Sequence, residues 1–502
     1  MHKDILIIEI QDPLLMCLCV IPLLQDSGKD DTGVVVFKMH ESIRDFGQKA
    51  IESELGLVDD PDDDNVTEHC RYVIIADCDT WPSKSLMPAQ RICAINCFAC
   101  SKMELSDDSL SVPSCLRVLN LEKTSVQKLP HSICHLEQLG YLNLSGCSRI
   151  VDLPEYFGNL KNLLHINLSG CSELVNLPES FGMLKILRHI NLSGCSGLVT
   201  LGEPFVKLIN LVHINLSGCC ALTNLPEFFG KLVNLMHLNL SGCSGLVALP
   251  GSFGMLIKLV HISLSGCSGL KKLPESFGRL TSLVHVNLSG CSSLSTLPKS
   301  IGYLRNLLHI DLSRCYGLSK LPKSFGKLQK LEHISLSGCS GLVTLPESFG
   351  GLTNLLHINL SHCSGLSKLP ESFRNLKILL YLDLSFWSCF EGIQIALGGL
   401  TILQHLNLSH PCCYRADHIH LEGLKEVFRK LNRLQYLNLS MLLNPISYNQ
   451  PEEKNCEYIE SINGLYSLEH LDLSHNIFLR DLPKVYVALT GYIHWTYQVA
   501  LG

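Results

Sequence analysis

Residues 163–184 read Leu-Leu-His-Ile-Asn-Leu-Ser-Gly-Cys-Ser-Glu-Leu-Val-Asn-Leu-Pro-Glu-Ser-Phe-Gly-Met-Leu. The front half alternates apolar and polar with period two, the pattern of a short strand with one buried face. Leu163, Ile166 and Leu168 should point inward, His165 and Asn167 outward. Gly170 and Pro178 then punctuate a return path. The motif recurs at 24-residue steps from Leu142-Asn143-Leu144 to Leu382-Asp383-Leu384, ten steps without an insertion. Leu406-Asn407-Leu408 follows at 24, Leu437-Asn438-Leu439 after 31 and Leu471-Asp472-Leu473 after 34, and Leu119-Asn120-Leu121 lies 23 before the first. That makes fifteen clear units, with Tyr72–Ala76 and Ile95-Asn96-Cys97 as weaker candidates for two more.

A strand and return segment of this length cannot bury its own apolar face. Stacked copies can, because each adds one layer to a continuous core. The expected fold class is therefore α/β, a solenoid with a parallel β-sheet on its concave side and an irregular, 3-10 or short helical convex side. This spacing is the leucine-rich-repeat pattern. The variant, with Cys171 and the Leu177-Pro178 close, resembles the repeats of plant cytoplasmic immune receptors of the nucleotide-binding leucine-rich-repeat disease-resistance family. The resemblance implies defence signalling in the cytoplasm. The protein partner would be a pathogen effector, a host protein under guard, or another receptor. A generic leucine-rich-repeat scaffold outside immunity stays open as the alternative.

Composition narrows the field. The chain has 502 residues, 40 Lys+Arg against 46 Asp+Glu and a net charge of −6, which offers no basic footprint for nucleic acid or an anionic membrane. Apolar residues make up 46% and charged residues 17%, too apolar for a disordered chain. The densest apolar run, Leu14–Leu24, is short of the roughly 20 residues of a membrane helix and contains Pro22. Asp4, Glu9 and Asp12 before it argue against a secretory signal.

Three ladders follow from the period. Ten cysteines from Cys147 to Cys363 share one position after the strand, where a thiol is expected to act as a small buried hydrophobe in a reducing compartment. Histidines from His165 to His357 form a second row, flanked by Tyr141 and Tyr381 and resumed by His405. Imidazoles near 5 Å apart repel when protonated by roughly 1–4 kcal/mol, so their pKa values should be depressed. The third row, including Asn143, Asn167 and Asn191, opens Asn-Leu-Ser tripeptides that are formal glycosylation acceptors, expected to be unused because adjacent strands leave no room.

The outward face is the expected partner surface. Its candidate contact residues are Arg188, His213, His237, Glu332, His357, Phe386, Trp387, Tyr414 and Tyr436, with the aromatic content concentrated towards the C-terminal end. No metal site is expected, either in the histidine row or in the loop holding His410, Cys412, Cys413, Asp417, His418 and His420, which matches no zinc module. No nucleophile–base set is visible, so no catalysis is expected.

The ends break the period. Residues 1–57 are expected to be a small α/β remnant of winged-helix type, 58–69 an acidic linker, 70–115 capping or degenerate repeats, 116–485 the array and 486–502 a tail outside it. Phe37-Lys38-Met39-His40-Glu41 resembles the segment that stands just before the repeats in the plant receptors. There the matching His contacts a nucleotide phosphate, so the resemblance implies at most a vestigial nucleotide-sensing position for His40. The chain has no GxxxxGK[ST] loop, and Gly28-Lys29 is followed by Asp30. Neither nucleotide nor any other cofactor is expected.

Overall fold

A computed structural model describes residues 54–476 apart from 62–65, 88–90, 108, 111–114, 388–391, 411–421, 443–461 and 463, together with strands at 25–29, 35–38 and 494–496. The chain divides into two compact units, Met1–Leu222 and Thr223–Gly502.

In the first unit, β1 (Gln25–Lys29) and β2 (Val35–Lys38) pair antiparallel. A parallel ladder then runs from β3 (Leu55–Val58) through β4 (Tyr72–Ala76) and β5 (Ala94–Phe98) to β10 (His213–Asn215). The second unit carries its own parallel ladder from β11 (His237–Asn239) to β21 (His494–Thr496). Like pairs with like: His165 lies opposite His189, Ile166 opposite Ile190, Asn167 opposite Asn191. This is the leucine-rich-repeat solenoid fold that the period predicts.

The apolar positions behave as the alternation requires. Leu163, Leu168, Cys171, Leu174, Phe181 and Leu184 have no exposed surface, and Ile166 keeps 2%. After most strands the chain turns through a left-handed residue, as at Gly170 with φ 73°, and in the regular repeats the return path closes in a 3-10 turn such as Glu179–Met183. Pro178 precedes that turn in extended conformation (φ −65°), where its missing N–H costs nothing. Phenylalanines of successive turns stack: Phe253 and Phe277 have ring centroids 6.2 Å apart at an interplanar angle of 2°. A glycine follows most of these Phe residues, Val206 and Arg374 being the exceptions, and lets the next turn close in. A Cβ built on Gly278 would fall 2.2 Å from the Ser300 carbonyl oxygen, so no larger residue fits without separating the turns.

Two boundaries differ from expectation. Leu55–Val58, assigned to the remnant and linker, is already a rung of the first ladder, in register with Tyr72–Ile75. Val58 and Val66, at either end of the acidic run, are buried. At the other end, His494–Thr496 lies in the nominal tail yet pairs in parallel with β20 (His470–Asp472), His470 against His494 at the same 24-residue offset. The segment Met39-His40-Glu41 falls outside the described residues.

Candidate functional site

The outward strand positions form one strip of rings in each unit. In the first, Tyr141, His165, His189 and His213 follow one another, with His165 and His189 centroids 4.1 Å apart and the next step 4.4 Å. In the second, His237, His261, His285, His309, His333 and His357 stack at 4.4–4.7 Å and within 16° of parallel. Tyr381, His405 and Tyr436 continue it, at 5.7, 4.2 and 4.1 Å. The spacing is that of hydrogen-bonded parallel strands, which sets one ring above the next.

Stacking half-buries the imidazoles, and burial dominates their electrostatics. His165 is pushed down to about 4, first by desolvation and second by the Arg188 guanidinium. His285 and His357 are also lowered, by desolvation first and by neighbouring histidines second. The direction matches the expectation, which rested on repulsion between imidazolium ions alone; the first cause is burial. Repulsion between imidazolium ions is the smaller effect, because a ring sandwiched between rings has already lost water that would solvate its charge.

Arg188 is exposed at the edge of the first unit's strip, and His213 is half-buried within it. Nearby, Ser169, Gly170, Ser193 and Gly194 line an open groove of about 450 Å³, closed at one end by Glu122 and Lys123. In the second unit His237, Glu332, His357 and Tyr436 are half-buried members of the strip. Phe386 is 40% exposed and stacks on His362 at 3.9 Å, in the turn after the strand rather than on the strip. Tyr414 and His40 lie outside the described residues, as do Cys412, Cys413, Asp417, His418 and His420.

Trp387 corrects the expectation. It has no exposed surface, and its indole Nε1–H donates to the Leu366 carbonyl at 2.6 Å. Residue 387 stands 24 after Cys363, so the tryptophan occupies the cysteine rung. Reading register rather than aromatic content would have placed it in the core.

That rung has a chemistry the hydrophobe reading missed. Cys171 Sγ–H donates to Leu144 O at 3.3 Å, Cys195 to Leu168 O at 3.2 Å and Cys267 to Leu240 O at 3.1 Å. Cys100 and Cys78 extend the row towards the N-terminus, reaching Ile75 O and Val58 O. Where cysteine is absent another donor can serve, as the Asn476 amide does for Leu439 O at 3.0 Å. The rung therefore sets a short buried donor against a carbonyl of the preceding repeat, as a second partner for an oxygen that already accepts the N–H of its own turn (Cys147 N–H to Leu144 O, 3.1 Å). The asparagine row works similarly on the opposite face. Asn167 Oδ1 accepts the Ser169 N–H at 3.1 Å, and Asp311 Oδ1 accepts that of Ser313 at 2.8 Å.

No disulfide joins the cysteines of this ladder, and desolvation pushes the Cys195 and Cys291 thiols up to about 12. Cys100 is the exception, lowered to about 7 by its hydrogen bond with Cys97 while remaining buried. A thiol held protonated and out of water is a poor nucleophile. Native alkylation followed by peptide mapping should therefore label exposed Cys115 and Cys220 while Cys171 and Cys267 stay unmodified until the chain unfolds. Equal labelling of all four would contradict the burial.

The model of a leucine-rich repeat region matches residues 286–486. Among solved structures, a leucine-rich-repeat protein of Leptospira interrogans is 26% identical, with a TM-score of 0.57 over 78% of this chain and 97% of that one. A chain of the Toll–Spatzle complex of Drosophila is 20% identical, with a TM-score of 0.53 over 81% of this chain and 57% of that one. No curated protein matches. The fold these similarities share is typically a binding scaffold rather than a catalyst.

Proposed function

We propose that this leucine-rich-repeat chain is the protein-recognition part of a plant intracellular immune receptor, and that it contacts its partner through the strip between Glu332 and Tyr436. The observation that carries the contact surface is the change of identity along the row. From His237 to His309 each rung repeats imidazole over an aliphatic neighbour (Met236, Val260, Val284, Leu308), a surface with no anchor. From Glu332 onwards a carboxylate enters and two phenol rings alternate with imidazoles, stacked and half-buried. Rigid tyrosines presented this way are the residues that dominate binding energy at interfaces.

The assignment to immunity rests on the form of the repeat and on the segment at Met39-His40-Glu41. A fold-level analogy adds to it: the Drosophila neighbour belongs to a hub of development and innate immunity. A cytoplasmic setting is supported by a cysteine ladder that no disulfide joins and by asparagines whose amide oxygens already serve the backbone.

The test is capture of a protein from infected and uninfected plant tissue by the full chain. Replacing Tyr381 and Tyr436 together by Ala should weaken capture by at least tenfold, roughly the 1.4 kcal/mol or more that one interface anchor contributes. Exchange of exposed Lys320, on the return path, should leave it unchanged. Capture indifferent to the tyrosines would remove the contact surface. A partner that is the same with or without infection would favour the scaffold reading.

A further inference from the structure

His309 opens β14 (His309–Asp311) and His333 opens β15 (His333–Ser335), two strands paired in parallel with these residues opposite each other. Their rings stack with centroids 4.4 Å apart. Glu332 directly precedes His333, held at the strand entrance by its N–H bond to Leu308 O at 2.9 Å. One ligand atom from each of His309, Glu332 and His333 lies within 4.8 Å of the others, and all three residues are half-buried. The histidine pair is repeated along the whole row, but the carboxylate is not. The corresponding residues are Val260, Val284 and Leu308 before it and Leu356 and Leu380 after it.

We propose that His309, Glu332 and His333 bind a borderline divalent transition-metal ion, Zn²⁺ in the first instance, through two imidazole nitrogens and one carboxylate oxygen. Ligands on one tetrahedral Zn²⁺ at 2.0–2.1 Å lie roughly 3.3 Å from each other. The three side chains must therefore close by at most about 1.5 Å. Each reaches the solvent side of the strip, so side-chain torsions can do this with the paired strands unmoved, at the cost of tilting one stacked step. The fourth position stays open to water or to a donor from a partner, as in three-ligand sites. Charge explains why this rung and not its neighbours. Two neutral imidazoles bring no counter-charge to a dication, whereas Glu332 brings one. The Asp311 carboxylate, two residues on from His309, is engaged by the Ser313 N–H and hydroxyl at 2.8 and 2.6 Å. It adds negative potential without being needed as a ligand. The proposal does not depend on the function proposed above.

Zn²⁺ titration of the full chain by calorimetry tests it, with Co²⁺ as the spectroscopic probe. Wild type should show a site whose affinity falls by at least about tenfold in Glu332→Gln and in His333→Tyr. The second variant keeps a stacked ring, as Tyr381 does at the same rung, so loss of metal is separable from loss of fold. His261→Tyr, a rung without a carboxylate, should titrate like wild type. Co²⁺ at this site should lack thiolate charge-transfer absorption, since its donors are nitrogen and oxygen. Unchanged titration in both Glu332→Gln and His333→Tyr, or a Co²⁺ spectrum that is thiolate only, would overturn the proposal.

Discussion

Phe277→Ala is expected to cost about 3–5 kcal/mol, the range for truncating a fully buried aromatic ring. Phe277 has no exposed surface and packs in parallel with Phe253 at 6.2 Å. Its removal leaves a void that cannot collapse, because the 3-10 turns on either side are already in backbone contact around Gly254 and Gly278. In a stacked array each unit is stabilised by its neighbours, so one missing layer weakens two interfaces. Phe277→Ile should cost far less, since Ile301 fills the same rung with no exposed surface. Urea unfolding followed by circular dichroism checks both. Equal midpoints for wild type and Phe277→Ala would mean that the phenylalanine stack does not couple the repeats.

Acid should destabilise the first unit through His165, and the sign follows from the direction of the shift. Folded His165 titrates near 4, against about 6.5 for an unfolded histidine. Above pH 6.5 both forms are neutral and the contribution to stability is complete. As pH falls below 6.5 the unfolded chain takes up a proton that the folded one refuses, so stability declines until the folded imidazole also protonates near 4. At 1.36 kcal/mol per pK unit, about 2 kcal/mol is gone by pH 5. His285, His357 and His405 are shifted the same way and add to the loss elsewhere in the row. His165→Tyr, which copies Tyr141 one rung away, should flatten the dependence by removing the titrating group while keeping a ring in the stack. The urea midpoint measured at pH 7.5 and pH 5 for both proteins decides it. No difference between the two pH values in wild type would sink the burial argument.

How far the sequence could be read depended on the kind of interaction. The 24-residue period located the strands, the inward leucines and the cysteine rung, because each is a property of one repeat taken alone. The same period, applied strictly, would also have moved Trp387 inward and placed the strand at 494–496 in the ladder. The composition of those segments, an aromatic cluster and a nominal tail, obscured it. The strand at 55–58 was not legible that way, because Leu55 pairs with Tyr72 at an offset of 17 residues. The donor role of the cysteines was not legible, since the accepting carbonyl belongs to the preceding repeat (Leu240 for Cys267) and only stacking brings it within 3.1 Å. Nor was the place of Glu332. In the chain it is one variable residue among several, and it becomes a possible ligand only beside His309, 23 positions earlier.

Repetition alone determined that this protein is a stack of strand-and-turn units with a leucine core and an outward row of histidines. Alternating polarity at a constant interval leaves a chain of marginal units no other way to bury its apolar side. The tertiary structure decided the chemistry of that stack: which thiol serves which carbonyl, how completely each imidazole loses water, and where one carboxylate meets two rings. Those depend on distances between residues about one repeat apart. Such distances are set by how closely the backbones pack, and side-chain pattern within a single repeat carries no information about them.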